Sequence, residues 1–128
     1  MQIKFRDAMV NVATGGVELN KDLPPVLLVH GAGMNRTVWS QQTRYLAHHG
    51  FAPMAIDLPG HGDSEGALLP SVAEMAEWVG AFVEMMALGP VRLVGHSMGS
   101  LISLEVAARY PQTAERLILM GAAAAMPV

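Results

Sequence analysis

The sequence contains no cysteine, which excludes a disulfide framework, a zinc–thiolate centre and a cysteine nucleophile. Charged residues are also scarce, at 15% of the 128 residues, against roughly 25% in a typical soluble domain. The net charge is −3 and the eight basic residues are scattered, so neither nucleic acid nor a membrane is an expected partner. No run approaches the roughly 18 apolar residues of a membrane span, and the N-terminus lacks the apolar core of a signal peptide. These absences predict a cytoplasmic protein.

Short apolar runs alternate with amphipathic segments along most of the chain. Residues 2–20 alternate loosely, and with Gly15-Gly16 as a turn signal they predict one or two strands in a hairpin. Apolar strands follow over 26–29, 52–58, 91–94 and 116–120, separated by helical patterns over 36–49, 72–86 and 98–110. Strands this short and apolar are typical of a parallel sheet that is buried on both faces. We therefore predict an α/β fold, with a mostly parallel sheet, helices on both faces and an N-terminal hairpin, in a single domain over 1–128.

The first candidate motif is GHSMG, residues 95–99, where a predicted strand runs directly into a predicted helix. A G-x-S-x-G sequence in that context predicts a sharp turn that lifts the hydroxyl of Ser97 above the edge of the sheet. Side chains at Gly95 and Gly99 would collide with the neighbouring strand and helix. The turn also leaves the amide of Met98 at a helix N-terminus, where an anion is favoured. The alternative is that Ser97 is simply the N-cap of a helix in a tight turn.

The second motif is HGAG, residues 30–33, which directly follows a predicted strand. Its two glycines also begin a dinucleotide-binding fingerprint, for which Asp57, after the next strand, would be the ribose ligand. The third glycine of that fingerprint is missing, because position 36 is Arg, and the sequence has no phosphate-binding P-loop. The alternative is a loop that exposes backbone amides, notably that of Ala32, to an oxyanion.

The third motif is DLPGHGDS, residues 57–64, after the predicted strand over 52–58. Together the three motifs, in this order, resemble the N-terminal half of the α/β-hydrolase family, and the resemblance runs from about residue 20 to the C-terminus. Within that family, the sequence is similar above all to small bacterial enzymes such as enol-lactonases, carboxylesterases, haloperoxidase-like enzymes and carbon–carbon bond hydrolases. A serine at position 97 departs from the aspartate nucleophile of the related dehalogenases and epoxide hydrolases.

The resemblance implies an activity and a set of site residues. The protein would be a serine hydrolase that cleaves an ester, lactone or related acyl bond of a small molecule through an acyl-enzyme, without a metal or organic cofactor. Ser97 would be the nucleophile, and the backbone amides of Ala32 and Met98 would form the oxyanion hole. The remaining motif residues would support the two loops: His30, Gly31, Gly33, Gly95, His96 and Gly99.

The sequence does not provide the partners that such a serine needs. In the family the order is serine, acid, histidine, yet the residues after Ser97 contain neither Asp nor His. His30 and His61 precede it in loops at the expected edge of the sheet, and either could approach it. We therefore expect an N-terminal fragment of the hydrolase core, without the cap and the C-terminal strands, and with an open sheet edge through which it could self-associate. The alternative is a non-catalytic binding or interaction protein on the same fold.

Overall fold

A computed structural model describes residues 1–121 as one six-stranded sheet flanked by helices. The strands are β1 (Gln2–Phe5), β2 (Ala8–Ala13), β3 (Pro25–Val29), β4 (Ala52–Ile56), β5 (Val91–His96) and β6 (Ala114–Met120). The α-helices are α1 (Ser40–Ala47), α2 (Val72–Met86) and α3 (Met98–Arg109), and short 3₁₀ turns precede α1 (Arg36–Trp39) and β6 (Pro111–Thr113). The end of the predicted domain, residues 122–128, lies outside the described residues.

The strand order is β1-β2-β4-β3-β5-β6. The four strands β4, β3, β5 and β6 pair in parallel, whereas β2 runs antiparallel to both β1 and β4. This arrangement confirms the predicted α/β class and the mostly parallel sheet with an N-terminal hairpin.

The apolar strand residues are divided between two cores, one on each face of the sheet. Successive residues of a strand point to opposite faces, so Leu27 and Val29 pack on the side of α2 and α3. Val26 and Leu28 pack on the other side, beneath Trp39 and α1. Continuous apolar runs were therefore the correct signal for strands covered on both faces.

The N-terminal hairpin turns at a different place from the one predicted. β1 and β2 are joined by Arg6 and Asp7, which have φ angles of 51° and 61°. Two successive positive φ angles are typical of the type I′ turn, whose twist matches that of paired strands. The prediction of Gly15-Gly16 as the hairpin turn was wrong, because those glycines follow β2. Asp tolerates the left-handed region better than most residues, but Arg is not a typical turn residue. The sequence pattern therefore did not indicate a turn at this position.

The start of α2 is as predicted, since the hydroxyl of Ser71 accepts a hydrogen bond from the amide of Glu74 (3.1 Å). The predicted strand over 52–58 ends earlier, at Ile56. Asp57 and Leu58 consequently belong to the loop beyond the strand, although both are fully buried. This boundary matters for the candidate site, because Asp57 is held by contacts of its side chain rather than by the sheet alone.

β6 forms one edge of the sheet, as expected, and within residues 1–121 it pairs only with β5. Several of its apolar side chains are exposed, namely Ile118, Leu119 and Met120. An unpaired apolar edge is a surface that other chain segments can join. Self-association through this edge stays a prediction.

Candidate active site

All three motifs meet at one edge of the sheet. β3, β4 and β5 are parallel neighbours, and Val29 is level with Ile56 on one side and with Gly95 on the other. The motifs begin at or immediately after these positions, so their loops lie side by side at the carboxyl ends of the strands. In open α/β sheets this is the edge where ligands bind.

Ser97 is at the sharp turn between β5 and α3. Its backbone angles, φ 55° and ψ −119°, lie in a region that L-residues rarely adopt. Such a conformation costs on the order of 1–3 kcal/mol and persists only where its surroundings enforce it. The side chain of Ser97 also makes no cap hydrogen bond to α3, which argues against the N-cap alternative.

The two flanking glycines leave no room for side chains. A Cβ atom at Gly95 would lie 2.7 Å from the amide nitrogen of Ser100, at the start of α3. A Cβ atom at Gly99 would lie 2.7 Å from the carbonyl oxygen of His30 and would also collide with that of Val29. The steric prediction for both positions is confirmed: glycine is needed so that strand, turn and helix can approach each other.

The elbow is also held by a residue that the motif analysis missed. The hydroxyl of Ser100 is fully buried and lies 2.9 Å from two carbonyl oxygens, those of Gly95 and Met120. The carbonyl of Met120 accepts a further hydrogen bond from the amide of Ser97 (2.9 Å). The end of β6 therefore fixes the turn from one side. The only sequence signal was a serine in the first turn of a helix, where its hydroxyl is free to bond backbone outside the helix.

The loop after β3 packs directly against Ser97. A Cβ atom at Gly31 would be 3.3 Å from the Cβ atom of Ser97, so this glycine lets the two backbones approach. The loop turns through a hydrogen bond from the amide of Met34 to the carbonyl of Gly31 (3.2 Å) and through Gly33, which has a φ of 70°. The structure thus places the loop that contains Ala32 against Ser97; the oxyanion hole itself stays a prediction.

His30 is a structural member of this loop. Its side chain is fully buried, and its Nε2 atom accepts a hydrogen bond from the amide of Leu58 (3.1 Å). Nδ1 therefore carries the proton and donates it to the carbonyl of Gly31 (2.7 Å). Burial lowers the pKa of His30, with the nearby His61 acting in the same direction. Both ring nitrogens are occupied, so His30 joins two loops and is not free to serve as a base.

The other two site histidines also bond or pack elsewhere. The ring of His61 lies 4.9 Å from that of His30, and its Nδ1 atom is 3.1 Å from the carbonyl oxygen of Pro59. His96 meets the ring of Trp39 edge-on at 6.5 Å. Within residues 1–121, no histidine hydrogen-bonds the hydroxyl of Ser97. The expectation that His30 or His61 could approach it as a base finds no support in this geometry.

The buried imidazole of His30 predicts that stability will depend on pH. The pKa of His30 is lower in the folded protein than the ordinary value of 6.5. At pH values between the lowered pKa and 6.5, the unfolded chain therefore binds more protons than the folded protein does. The free energy of unfolding should therefore fall as the pH drops below about 6.5, by at most about 1.4 kcal/mol per pH unit for one group.

Urea unfolding at a series of pH values measures this effect. The His30→Gln variant should show a smaller slope below about pH 6.5 than wild type, because the group that binds the extra proton is gone. The charged neighbour Asp57 and the nearby His61 remain in that variant. His48→Gln, at the end of α1, is the matched control. An unchanged slope in His30→Gln would contradict the assignment.

Asp57 is the second buried side chain that links the loops. Its Oδ1 atom accepts a hydrogen bond from the backbone amide of Arg36 (2.6 Å), and its Oδ2 atom pairs with the guanidinium of the same residue (2.5 Å). Arg36 occupies the position at which a dinucleotide fingerprint would have its third glycine. The carboxylate considered as a ribose ligand is thus bonded within the protein, which argues against nucleotide binding.

Within residues 1–121, no helix is both long enough and apolar enough to cross a membrane. In the same residues, no three His, Cys, Asp or Glu side chains are grouped so that they could hold a metal ion.

A sequence model of the α/β-hydrolase fold matches residues 24–128. The chain belongs to the α/β-hydrolase family. The match confirms the resemblance inferred from the three motifs. It also covers the whole of the candidate site, from the loop after β3 to the elbow.

Individual relatives of the chain include enzymes with named activities. It is 35% identical over 98 residues to an (E)-2-((N-methylformamido)methylene)succinate hydrolase of Acinetobacter baylyi, covering 76% of this chain and 37% of the relative. It is 35% identical over 104 residues to a pimeloyl-[acyl-carrier protein] methyl ester esterase of Pectobacterium carotovorum, covering 80% of this chain and 37% of the relative. These relatives support a hydrolytic function.

Among solved structures, the chain is similar to a bacterial membrane phospholipase A, with a TM-score of 0.87 and 31% identity. That match covers 99% of this chain and 40% of the phospholipase chain. The chain therefore spans well under half the length of each of these three relatives. The activity of a whole protein of that size is accordingly a matter of proposal.

Proposed function

We propose that the full-length protein is a serine hydrolase that cleaves an ester, lactone or related acyl bond through an acyl-enzyme, with Ser97 as the nucleophile. One observation carries the proposal: Ser97 is held at φ 55° on a strand-to-helix turn, directly against the loop after β3. A strained serine between two glycines that admit no Cβ atom is what a nucleophile elbow requires. Hydrolases and esterases among the relatives support the same class of reaction.

The geometry supports the following chemistry. The Oγ atom of Ser97 would attack the carbonyl carbon, and the carbonyl oxygen would become an oxyanion. The amide of Met98, the first residue of α3, has no partner within the helix and lies at the positive end of the helix dipole. The amide of Ala32, on the loop that packs against Ser97, would be the second donor. Loss of the alcohol would leave an acyl-enzyme, which water would hydrolyse.

A general base is needed to take the proton from the hydroxyl of Ser97. Within residues 1–121, no histidine hydrogen-bonds that hydroxyl, and the sequence after it contains only two acidic residues, Glu105 and Glu115, and no histidine. By the order of the family, the base and its acid would follow this part of the protein. That requirement makes the full-length protein the correct material for assays.

The competing candidate is a binding or interaction protein that retains the fold but not the chemistry. This candidate is favoured by a different observation: in the described part of the chain, no histidine hydrogen-bonds the hydroxyl of Ser97. The two candidates differ in whether Ser97 is nucleophilic.

Labelling with a fluorophosphonate probe separates them. Full-length protein should react covalently, and peptide mapping should place the label on Ser97, because an activated serine with oxyanion donors attacks phosphorus readily. Ser97→Ala should not react, whereas Ser71→Ala, which removes a helix-capping hydroxyl far from the elbow in sequence, should react as wild type does. A folded wild-type protein that stays unlabelled would overturn the hydrolase proposal and favour the binding candidate.

A further inference from the structure

The loop that carries Ala32 is attached at both ends to the neighbouring loop. The oxyanion loop comprises residues 30–36, and the anchor loop comprises residues 57–64. At one end, the amide of Leu58 donates to the imidazole of His30 (3.1 Å). At the other end, the carboxylate of Asp57 accepts from the amide of Arg36 (2.6 Å). The oxyanion loop is therefore fixed at its first and last residues by side-chain hydrogen bonds.

Asp57 makes the stronger of these two attachments. It is fully buried, and besides the two bonds from Arg36 its Oδ2 atom accepts the amide of Asp63 (2.9 Å). Hydrogen bonds to a charged acceptor are roughly twice as strong as those between neutral groups. The anchor loop closes tightly on the carboxylate, since a Cβ atom at Gly62 would lie 2.5 Å from the Cγ atom of Asp57.

The guanidinium of Arg36 also reaches Asp63 (3.1 Å), but that carboxylate is 72% exposed, whereas Asp57 is completely buried. Exposed ion pairs contribute little because water screens them. Removing one partner of a buried pair has a large effect, because the remaining charge is left without compensation. Asp57 is therefore the residue on which the attachment depends.

The anchor loop is itself tied to the sheet, so it can act as a fixed support. The hydroxyl of Ser64 donates to the carbonyl of Asp57 (2.7 Å) and accepts from the amide of Asn11 in β2 (2.9 Å). The side-chain amide of Asn11 also donates to the carbonyl of Asp63 (2.7 Å). The position of the Asp57 carboxylate is thereby set relative to β2 and β4.

We propose that Asp57 is a positioning residue, which acts through Arg36 to hold the Ala32 amide in register with Ser97. The proposal rests on the function proposed above. Between its attachments the oxyanion loop contains Gly31 and Gly33, whose backbones are permissive, so its conformation depends on how its ends are held. A donor displaced by about 1 Å can lower a rate by about 10²-fold.

Asp57→Asn in the full-length protein tests the proposal. An amide cannot accept all three of these donors, because one of its two polar atoms is itself a donor. With p-nitrophenyl butyrate as substrate, kcat should fall by about 10- to 100-fold, while KM should change by less than about threefold, since the lost interaction is made in the transition state. Hydrogen exchange at the amides of residues 31–35 should accelerate at least tenfold.

Two further variants distinguish positioning from a general loss of stability. Arg36→Met keeps the backbone amide that bonds Asp57 but removes the guanidinium, so it should lower kcat less than Asp57→Asn does. Arg6→Met is the matched control, because it breaks an exposed bidentate pair with Glu77 (both bonds 2.7 Å), and within residues 1–121 neither of these side chains hydrogen-bonds the oxyanion loop or the anchor loop. It should leave kcat and exchange in the oxyanion loop at wild-type values.

The outcomes are separable. A folded Asp57→Asn protein with wild-type kcat, or a loss of kcat of the same size in Arg6→Met, would overturn the positioning role. Hydrogen exchange does not depend on catalysis, so unchanged exchange in residues 31–35 would overturn it even if the wild-type protein hydrolyses nothing. If folded wild-type protein were not labelled by fluorophosphonate, the proposed function would be overturned. In that case, faster hydrogen exchange in Asp57→Asn would still show that Asp57 holds the oxyanion loop in place.

Discussion

Ser97→Gly in the full-length protein is expected to abolish ester hydrolysis while raising the free energy of unfolding by about 1 kcal/mol. The loss of turnover, on the order of 10⁴-fold or more, follows from removing the nucleophile of the proposed mechanism. The gain in stability has a different cause. The backbone at this position has φ 55° and ψ −119°, which costs a residue with a Cβ atom about 1–3 kcal/mol but costs glycine little. The extra flexibility of glycine in the unfolded chain offsets part of that gain.

Ser97→Ala is the matched comparison for this substitution. It removes the same hydroxyl but keeps the Cβ atom, so it should lose turnover equally and show no comparable gain in stability. Initial rates with an ester substrate and urea unfolding curves measure the two effects. If Ser97→Gly were no more stable than Ser97→Ala, the elbow would not be strained. If Ser97→Ala retained ester turnover, the nucleophile would lie elsewhere.

Gly99→Ala should have the largest effect on stability, a loss of about 3 kcal/mol or more. A Cβ atom at this position would lie 2.7 Å from the carbonyl oxygen of His30 and 2.8 Å from the carbonyl carbon of Val29. Both are backbone atoms of β3 or its immediate extension, and β3 is central in the sheet. They cannot move away as a flexible side chain could, so α3 would have to shift from the sheet and take the elbow with it.

Gly16→Ala serves as the control for Gly99→Ala. Gly16 has a φ of 81°, and no atom lies within 4 Å of the position its Cβ atom would take. Its substitution should cost only the backbone strain of a left-handed residue, about 1–2 kcal/mol. Urea unfolding of both variants gives the comparison directly. Equal losses would mean that the close approach of α3 to β3 is not what requires glycine at position 99.

The sequence predicted most of the fold because its central strands, β3, β4 and β5, lie in the interior of the sheet. The run 26–29 is apolar at every position and the run 91–94 at every position except Arg92, as is typical of strands covered on both faces. The start of α2 at residue 72 was equally clear, because the hydroxyl of Ser71 satisfies a backbone amide only three residues away in sequence. The hairpin turn was missed, since Arg6 and Asp7 adopt positive φ angles without a glycine to signal it.

The same distinction applies to the candidate site, where some features follow from local sequence and others depend on tertiary contacts. Steric requirements that act over a few residues can be predicted from sequence, and the need for glycine at positions 95 and 99 is one of them. Roles that depend on residues far apart in sequence cannot be predicted in this way. From sequence, Asp57 was the first residue of the third motif and a possible ribose ligand, and Arg36 was the residue that broke the dinucleotide fingerprint; the fold pairs the two with each other.

His30 and Ser100 illustrate why only the tertiary structure could decide their roles. From sequence, His30 was both a supporting residue and a possible base, and its buried bonds to Leu58 and Gly31 leave only the first role. The role of Ser100 could not be predicted from its place in the first turn of a helix, because its hydroxyl lies within hydrogen-bonding distance of carbonyl groups on two different strands.

By itself the sequence determined the family, the order of the elements and the turn on which Ser97 lies, because each depends on local patterns of apolar residues and glycines. The tertiary structure decided which buried polar groups hold the two loops together beside that serine. Hydrogen bonds between groups 20 to 30 residues apart form only when parallel strands bring their ends to one edge, and no local pattern encodes those pairings.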